Sequence, residues 1–409
     1  MRRSGPTRLV LGAGAVALAV LGTTLGTAGA VSSESRPLGE IRGADVGPTI
    51  RGEYIVVLKK TGPKAGSDRS TAEDVRSRAR GLAARYDGSL RRTYSAALQG
   101  FSVRMSEAKA RRLAADPAVA YVEPNRVEYG DDVQTDPVWG LDRVDQRDLP
   151  LDKRYEYTRT AGNVTAYVVD SGVRVGHQEF EGRASHGYNF VDGNTTASDC
   201  HGHGTHVAGT IGGRTHGVAK KVRIVAVKVL NCQNSGTTDN VLAGYDWVVR
   251  NAKRPAVANV SIGGSPAAAK DAGVRAMVQA GITVAVSAGN KDTDACTQSP
   301  AREPSVITVA ATASNDRRST FSNHGTCVDV FAPGTSIVSA GHGSNTATAT
   351  MSGTSMAAPH VTGVAALHLA GDPGATPQKV TDALLGAASR GKVVGPGAGS
   401  PNRLVYSGL

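Results

Sequence analysis

Aromatic side chains are scarce in this chain: its 409 residues include five Phe, two Trp and eleven Tyr. With few rings to fill a core, 50 Gly and abundant Ala and Val point to a tightly turned sheet protein built largely from small residues. No stretch after residue 25 is apolar enough to span a bilayer, which excludes a body embedded as membrane helices. Internal repeats and long low-complexity tracts are absent, so a solenoid is not expected. Charged residues make up 20% of the chain and interleave with apolar runs, a balance that excludes wholesale disorder. The length suits two or three domains, with ample chain for a full α/β core.

The first thirty residues, MRRSGPTRLVLGAGAVALAVLGTTLGTAGA, combine a basic start (Arg2, Arg3, Arg8), an apolar run from Leu9 to Leu25, and Ala28 and Ala30 in A-x-A positions. This is the pattern of a secretory signal peptide (1–30) cleaved after Ala30, with a retained anchor as the alternative. The net charge of +11 raises the question of a nucleic-acid partner. Its location argues against one. Residues 1–30 hold three basic and no acidic side chains, residues 31–131 hold 18 basic against 13 acidic, and residues 132–409 hold 25 against 22.

Residues 31–51 read as a flexible leader. The strand pattern EYIVVL (53–58) follows, then a basic amphipathic helix through Arg85, a strand GFSVRM (100–105), a helix capped by Ser106 and ending before Pro117, and a strand VAYVEP (119–124). Strand–helix–strand–helix–strand describes a small open α+β sandwich. After a linker the pattern changes. The apolar runs VTAYVVD (164–170), VRIVAVKVL (222–230), AVANVSI (256–262), ITVAVSA (282–288) and VITVAAT (306–312) alternate with helical stretches, including 240–252 and 267–280. Continuous apolar strands between helices mean a parallel sheet covered on both faces, whose active site gathers at the carboxyl ends of its strands.

Those ends carry chemistry. Asp170 closes VVDSG, where a carboxylate can orient a histidine. Asn290 closes VSAGN, and its amide can donate to a developing oxyanion. Ser355 in GTSMAAPH stands where a turn becomes an apolar helix with free backbone N–H groups. Taken singly, a turn aspartate, a strand-ending asparagine and an N-cap serine explain them equally well. CHGHGTH places His201, His203 and His206 beside Cys200. Metal binding by these histidines has some appeal, but the glutamate of an H-E-x-x-H zinc motif is missing.

Together, VVDSG, HGTHVAG, SAGN and GTSMAAPH resemble the four signature blocks of the subtilisin-like serine proteases, in that family's chain order. HGVAKK, WGLDRVDQRDLPL and SPNRLVYS are similar to the proteinase K and aqualysin branch. The resemblance implies an α/β, three-layer subtilisin-like fold with a mainly parallel central sheet (132–409), preceded by a small α+β ferredoxin-like propeptide domain of the inhibitor type (52–127) and a processing linker (128–134). It assigns Asp170 as orienting acid, His203 as general base and Ser355 as nucleophile, with Asn290 and the Ser355 N–H as oxyanion hole. His206 then reads as a buried helix histidine, and His201 stands where relatives often carry Asn. A neutral His203 is required, so activity is expected to fall as pH drops through roughly 6–7.

The same resemblance implies that Asn234, Ser235 and Gly236, with Ser261, Ile262, Gly263 and Gly264, pair with an extended peptide substrate. Thr238 stands where relatives have a large aromatic near the distal subsite. On the residues alone, four cysteines allow three pairings; the family implies Cys200–Cys232 and Cys296–Cys327. It also implies structural Ca2+ on the Pro304 and Val306 carbonyls with Asp329, and a second site at Asp142, Asp145, Gln146 and Asp152. The expected protein is a secreted, extracellular, monomeric serine endopeptidase of broad specificity, made as a self-processing zymogen with mature start near Asp132. Its partners are polypeptide substrates and its own propeptide as inhibitor and folding aid, with no nucleic acid, and no membrane once the signal is removed. The alternative is a catalytically silent secreted homologue acting as a binding protein. An α/β-hydrolase is disfavoured, because GTSMA lacks its G-x-S-x-G elbow.

Overall fold

The computed structural model describes residues 38–44, 49–59, 68–126 and 132–408. The expected signal peptide, much of the leader and most of the processing linker lie outside the described residues. Among the described residues no helix is long and apolar enough to cross a membrane. The chain divides into two compact units, one built chiefly on residues 52–124 and the other on 125–409.

The smaller unit runs β1 (Thr49–Leu58), α1 (Asp68–Arg85), β2 (Ser89–Tyr94), β3 (Gly100–Arg104), α2 (Glu107–Ala114) and β4 (Val119–Arg126). Its sheet order is β2-β3-β1-β4, with β3 antiparallel to both β1 and β2. That is the ferredoxin-like arrangement. Alternate residues of β1 (Tyr54, Val56, Leu58) are buried, as a strand with one covered face requires. They meet Val75, Ala79 and Leu82 of α1 and Ala110 and Leu113 of α2, spaced to share helix faces. Two features differ from the sequence reading. β2 (SLRRTY) is an additional strand, hidden by its arginines because it lies at the sheet edge. Ile41, in the stretch read as a flexible leader, is buried and bridged in parallel to Val122.

The larger unit begins with β5 (Asp132–Thr135), α3 (Trp139–Val144), β6 (Arg154–Tyr157), β7 (Thr165–Asp170), β8 (Ala184–Asn189), α4 (His203–Gly212), β9 (Arg223–Lys228), α5 (Thr238–Asn251) and β10 (Ala256–Val260). It continues through α6 (Ala268–Gln279), β11 (Thr283–Ser287), β12 (Ile307–Thr312), β13 (Val330–Pro333), β14 (Ile337–Ala340), β15 (Thr348–Met351), α7 (Thr354–Gly371), α8 (Pro377–Ala387), β16 (Ser389–Arg390) and β17 (Arg403–Leu404). The main sheet has nine strands in the order β16-β17-β13-β12-β11-β10-β7-β9-β8. All neighbouring pairs from β13 to β8 are parallel.

Every residue of β7 is buried, because both faces of the sheet are covered. Ala166 and Val168 pack with α4 and α7 on one face, while Tyr167 and Val169 pack with α5 and α6 on the other. Burying a Val or Ile side chain fully contributes about 1.5–3 kcal/mol. Small residues let the helices come close. A Cβ on Gly204 of α4 would lie 2.1 Å from the Gly172 carbonyl oxygen, so any side chain there would push the helix off the end of β7. The chain passes from β9 back across β7 to β10, making the carboxyl end of β7 a switch point of the sheet.

Candidate active site

Asp170 ends β7, and its carboxylate is wholly buried. Its Oδ1 accepts the Ser171 N–H at 2.7 Å and the His203 Nδ1–H at 2.7 Å. An ionised carboxylate only accepts, so the proton sits on Nδ1 and Nε2 is left as the free base. Burial pulls the His203 pKa down, but the charge and hydrogen bond of Asp170, with the Asp199 charge behind, hold it above the usual imidazole value.

His203 opens α4, and the turn before that helix is organised by Asp199. Asp199 Oδ1 accepts from Ser171 Oγ and from the N–H groups of His201 and Gly202, and Oδ2 accepts from the Thr205 N–H and hydroxyl. Ser171 Oγ in turn accepts the Gly204 N–H at 2.9 Å. Free N–H groups of a helix start are thereby satisfied by side chains from the strand end and the preceding loop. Gly202 sits at φ +108°, a left-handed turn that a Cβ would strain. His206 is fully buried, with Nε2 on the Ile337 carbonyl at 2.9 Å; burial lowers its pKa to about 4.

Ser355 is the second residue of α7, which packs against α4. Its hydroxyl donates to the Ser261 carbonyl at 3.3 Å. Asn290 Oδ1 accepts the Thr354 N–H at 2.8 Å and the Thr354 hydroxyl at 2.9 Å, which turns Nδ2 away as a donor. The place a Cβ would take on Gly353 lies 3.4 Å from Asn290 Nδ2 and 3.6 Å from the Ser355 nitrogen, so both donors face one small space. A buried relay stands behind: Thr362 Oγ1 donates to Asn259 Oδ1, Asn259 Nδ2 to Ser261 Oγ, and Ser261 Oγ to the Ser355 carbonyl, at 2.9, 2.8 and 2.9 Å.

Asn231, Asn234 and Ser235 form a self-bonded turn, with Asn234 at φ +57° and Ser235 and Gly236 exposed. In the second expected substrate segment Ser261 is buried, Gly263 is exposed, and Gly264 exchanges backbone hydrogen bonds with Ser299.

The Subtilase family pattern matches residues 161–405, well over half of the chain. This chain belongs to the subtilase family. The peptidase inhibitor I9 pattern matches residues 53–129. The subtilase is 47% identical to the extracellular serine proteinase of Thermus sp. (strain Rt41A), over 92% of this chain and 94% of that protein. It is 40% identical to a cuticle-degrading serine protease of Arthrobotrys oligospora, over 93% and 96% of the two chains. Among solved structures, a cold adapted subtilisin-like serine proteinase is 52% identical, with a TM-score of 0.66, covering 67% of this chain and all of that one. The protein is thus a subtilisin-like serine proteinase that carries an inhibitor-type domain.

The four cysteines of the subtilase form Cys200–Cys232 and Cys296–Cys327, with Cα–Cα distances of 5.0 and 5.3 Å. The first bridge joins the loop before His203 to the 231–236 turn. Lys228 Nζ, donating to the Ser171 and Leu230 carbonyls, lies 3.6 Å from Cys200 Sγ.

Among the described residues no three His, Cys, Asp or Glu side chains gather as a metal cage. The two sets expected for calcium were tested on their chemistry. Asp329 Oδ2 accepts the Thr308 N–H at 2.8 Å, and burial raises the Asp329 pKa to about 6 against the opposing effects of that bond and Arg403. A carboxylate so poorly compensated, held on Thr308 two residues beyond Val306, fits a hard cation with oxygen ligands. In the other set, Asp145 Oδ1 is buried with no partner, and burial together with the Asp152 and Asp142 charges raises the Asp145 pKa to about 7. Both Asp142 oxygens accept from the Asp152 and Lys153 N–H groups, and Gln146 Oε1 also accepts from Asp152 N–H. The orphaned Asp145 oxygen fits a cation; the others are already engaged by backbone.

The sequence reading missed Asp199, Ser171, Thr354, Asn259 and Thr362. Asp199 carried a positional signal, standing just before the histidine block, and Asn259 and Thr362 a compositional one, as polar residues in largely apolar segments.

Proposed function

We propose that the protein is an exported serine endopeptidase made as a self-processing zymogen, with Asp170, His203 and Ser355 as its triad. The observation that carries this reading is the His203 Nδ1–H bond to buried Asp170 at the head of a helix packed on the one whose second residue is Ser355. Reaction starts when the Ser355 hydroxyl turns from the Ser261 carbonyl to His203 Nε2. Nε2 takes the proton as Oγ attacks the scissile carbonyl, and Asp170 stabilises the imidazolium. The oxyanion is held by Asn290 Nδ2–H and the Ser355 N–H. Nε2–H then protonates the leaving amine, and His203 activates water to hydrolyse the acyl-enzyme.

Substrate strands pair with Asn234–Gly236 and Ser261–Gly263, a backbone-dominated mode that suits broad specificity. Residues 52–127 act as the inhibitory propeptide, supported by the inhibitor-family match over 53–129. Cleavage falls in 128–134, so that β5 begins the mature chain and remains paired with β6. Export is supported by the extracellular relative and by the signal pattern of residues 1–30. Calcium, when bound, is structural: the Pro304 and Val306 carbonyls with Asp329 would hold one ion, and Asp145 with its neighbours a second.

A fluorophosphonate probe is expected to label the wild-type enzyme and to miss Ser355→Ala. That variant should hydrolyse no casein and keep its propeptide on N-terminal sequencing. Equal labelling of both proteins would overturn the assignment, and a mature-sized Ser355→Ala product made without another protease would rule out self-processing.

A further inference from the structure

We infer that His201 and His203 together form an inhibitory site for a borderline-soft divalent metal ion of the Zn2+ or Cu2+ class. Three observations carry this, and the inhibitory part rests on His203 being the base. First, the imidazoles two residues apart lie close across the left-handed Gly202, with ring centres 6.4 Å apart and planes at 49°. Two imidazoles sharing one tetrahedral Zn2+ at Zn–N distances of about 2.0–2.1 Å have ring centres roughly 5–5.5 Å apart, so side-chain rotation of half-buried His201 has to bring the rings about 1 Å closer. Second, His201 Nδ1 is shut off from solvent and has no hydrogen-bond partner, so nothing in the protein uses that nitrogen. Third, His203 has the support common to metal-ligating histidines: its Nδ1–H is given to a buried carboxylate at 2.7 Å, which fixes the tautomer and strengthens Nε2 as a donor.

Two neutral imidazoles suit Zn2+, Cu2+ or Ni2+ and not hard cations such as Mg2+. Water completes the coordination, because no third His, Cys, Asp or Glu of the described residues joins the pair. The bound ion occupies the Nε2 lone pair that must accept the Ser355 proton. Catalysis stops while the fold stays as it is. The backbone of His201 is fixed through its N–H to Asp199 at 2.9 Å, so the pair is held ready by the same carboxylate that organises the start of α4.

The test uses the mature enzyme at about pH 8, where imidazoles are largely neutral, with Ca2+ in excess. ZnCl2 is titrated while hydrolysis of a peptide p-nitroanilide is followed; Zn2+ uptake is measured separately with a chromogenic indicator. Wild type is expected to bind Zn2+ and lose activity with one midpoint, and Mg2+ to do neither. His201→Asn should keep the metal-free kcat/KM while both midpoints rise at least about tenfold, as loss of one of two protein ligands requires. His201→Gln provides a second variant should the first fail to fold. Equal midpoints in wild type and variant would overturn the site. Uptake that depends on His201 without loss of activity would overturn the claim that the ion takes His203 Nε2. Neither result depends on the fluorophosphonate experiment, which tests the triad by itself.

Discussion

Removing the Asp199 carboxylate perturbs the fold and the chemistry of the site in separable ways. The carboxylate accepts five hydrogen bonds, from Ser171 Oγ, the N–H groups of His201, Gly202 and Thr205, and the Thr205 hydroxyl. Hydrogen bonds to a charged group are worth about 1.5–3 kcal/mol each, and loss of a capping side chain alone costs about 1 kcal/mol. Asp199 is only half-buried, so water reaches part of the vacated space in Asp199→Ala. The net loss is therefore well below the five-bond sum, about 2–4 kcal/mol. For a domain of this size the corresponding fall in Tm is roughly 3–7 °C. Calorimetry on enzyme blocked with phenylmethylsulfonyl fluoride measures it without autolysis.

The second effect is on the proton of His203. The Asp199 charge helps hold the His203 pKa above its usual value, and as the proposed base His203 must be neutral to act. The acid limb of kcat/KM therefore lies higher with Asp199 than without it. Asp199→Asn, which keeps the shape and removes the charge, moves that limb to lower pH, while Asp170 keeps the tautomer. The pH profile on a peptide p-nitroanilide reads this directly. An acid limb that stays in place or moves upward would refute the electrostatic part, and an unchanged Tm in Asp199→Ala would refute the structural part.

Asn290→Ala is expected to lower kcat about 100- to 1000-fold with little change in KM, the loss known for removing this type of donor from a subtilisin; steady-state kinetics check it. Chelation by EDTA should lower the thermal midpoint of the wild type and have a smaller effect on Asp329→Ser, as followed by scanning calorimetry. Replacing Cys200 and Cys232 together by Ser reopens a loop of sequence separation 32 and should cost about 3–4 kcal/mol by chain entropy, read as a lower denaturant midpoint. Because that bridge ties the loop before His203 to the 231–236 turn, KM for extended peptides should rise more than KM for short ones.

How much of the fold is legible depends on whether an element is buried on two faces or one. β7, β10, β11 and β12 are buried on both sides and appear in sequence as largely apolar runs. β8, with the sequence ASHGYN, is an edge strand whose residues are half-buried or exposed except Asn189, so it carries no such run. β2 escapes notice for the same reason, and its irregular register between Leu90 and Arg92 removes even the period-two alternation. Ile41 shows the reverse: a single apolar residue in a polar stretch has no periodicity to announce it, yet it is buried against the small unit's core.

In the site, the division falls between the proposed catalytic side chains and those that hold them. Asp170, His203, Asn290 and Ser355 each stand in a short block whose glycines and small residues follow from close approach, as at Gly204, so local sequence betrays them. Their supports are recruited across the chain. Thr362 reaches Asn259 over 103 residues, and Ser261 reaches the Ser355 carbonyl over 94. Nothing in the spacing of a threonine inside an apolar helix, or of an asparagine inside an apolar strand, says that the two face each other. What could have been read is their polarity: both are buried polar groups, Asn259 in an otherwise apolar strand and Thr362 in a largely apolar helix. A buried polar group without a partner costs about 1–3 kcal/mol, so each implied a partner that the sequence could not name. The pairing needs β10 and α7 to be stacked at the centre of the sheet, and that stacking places Ser355 beside the end of β10.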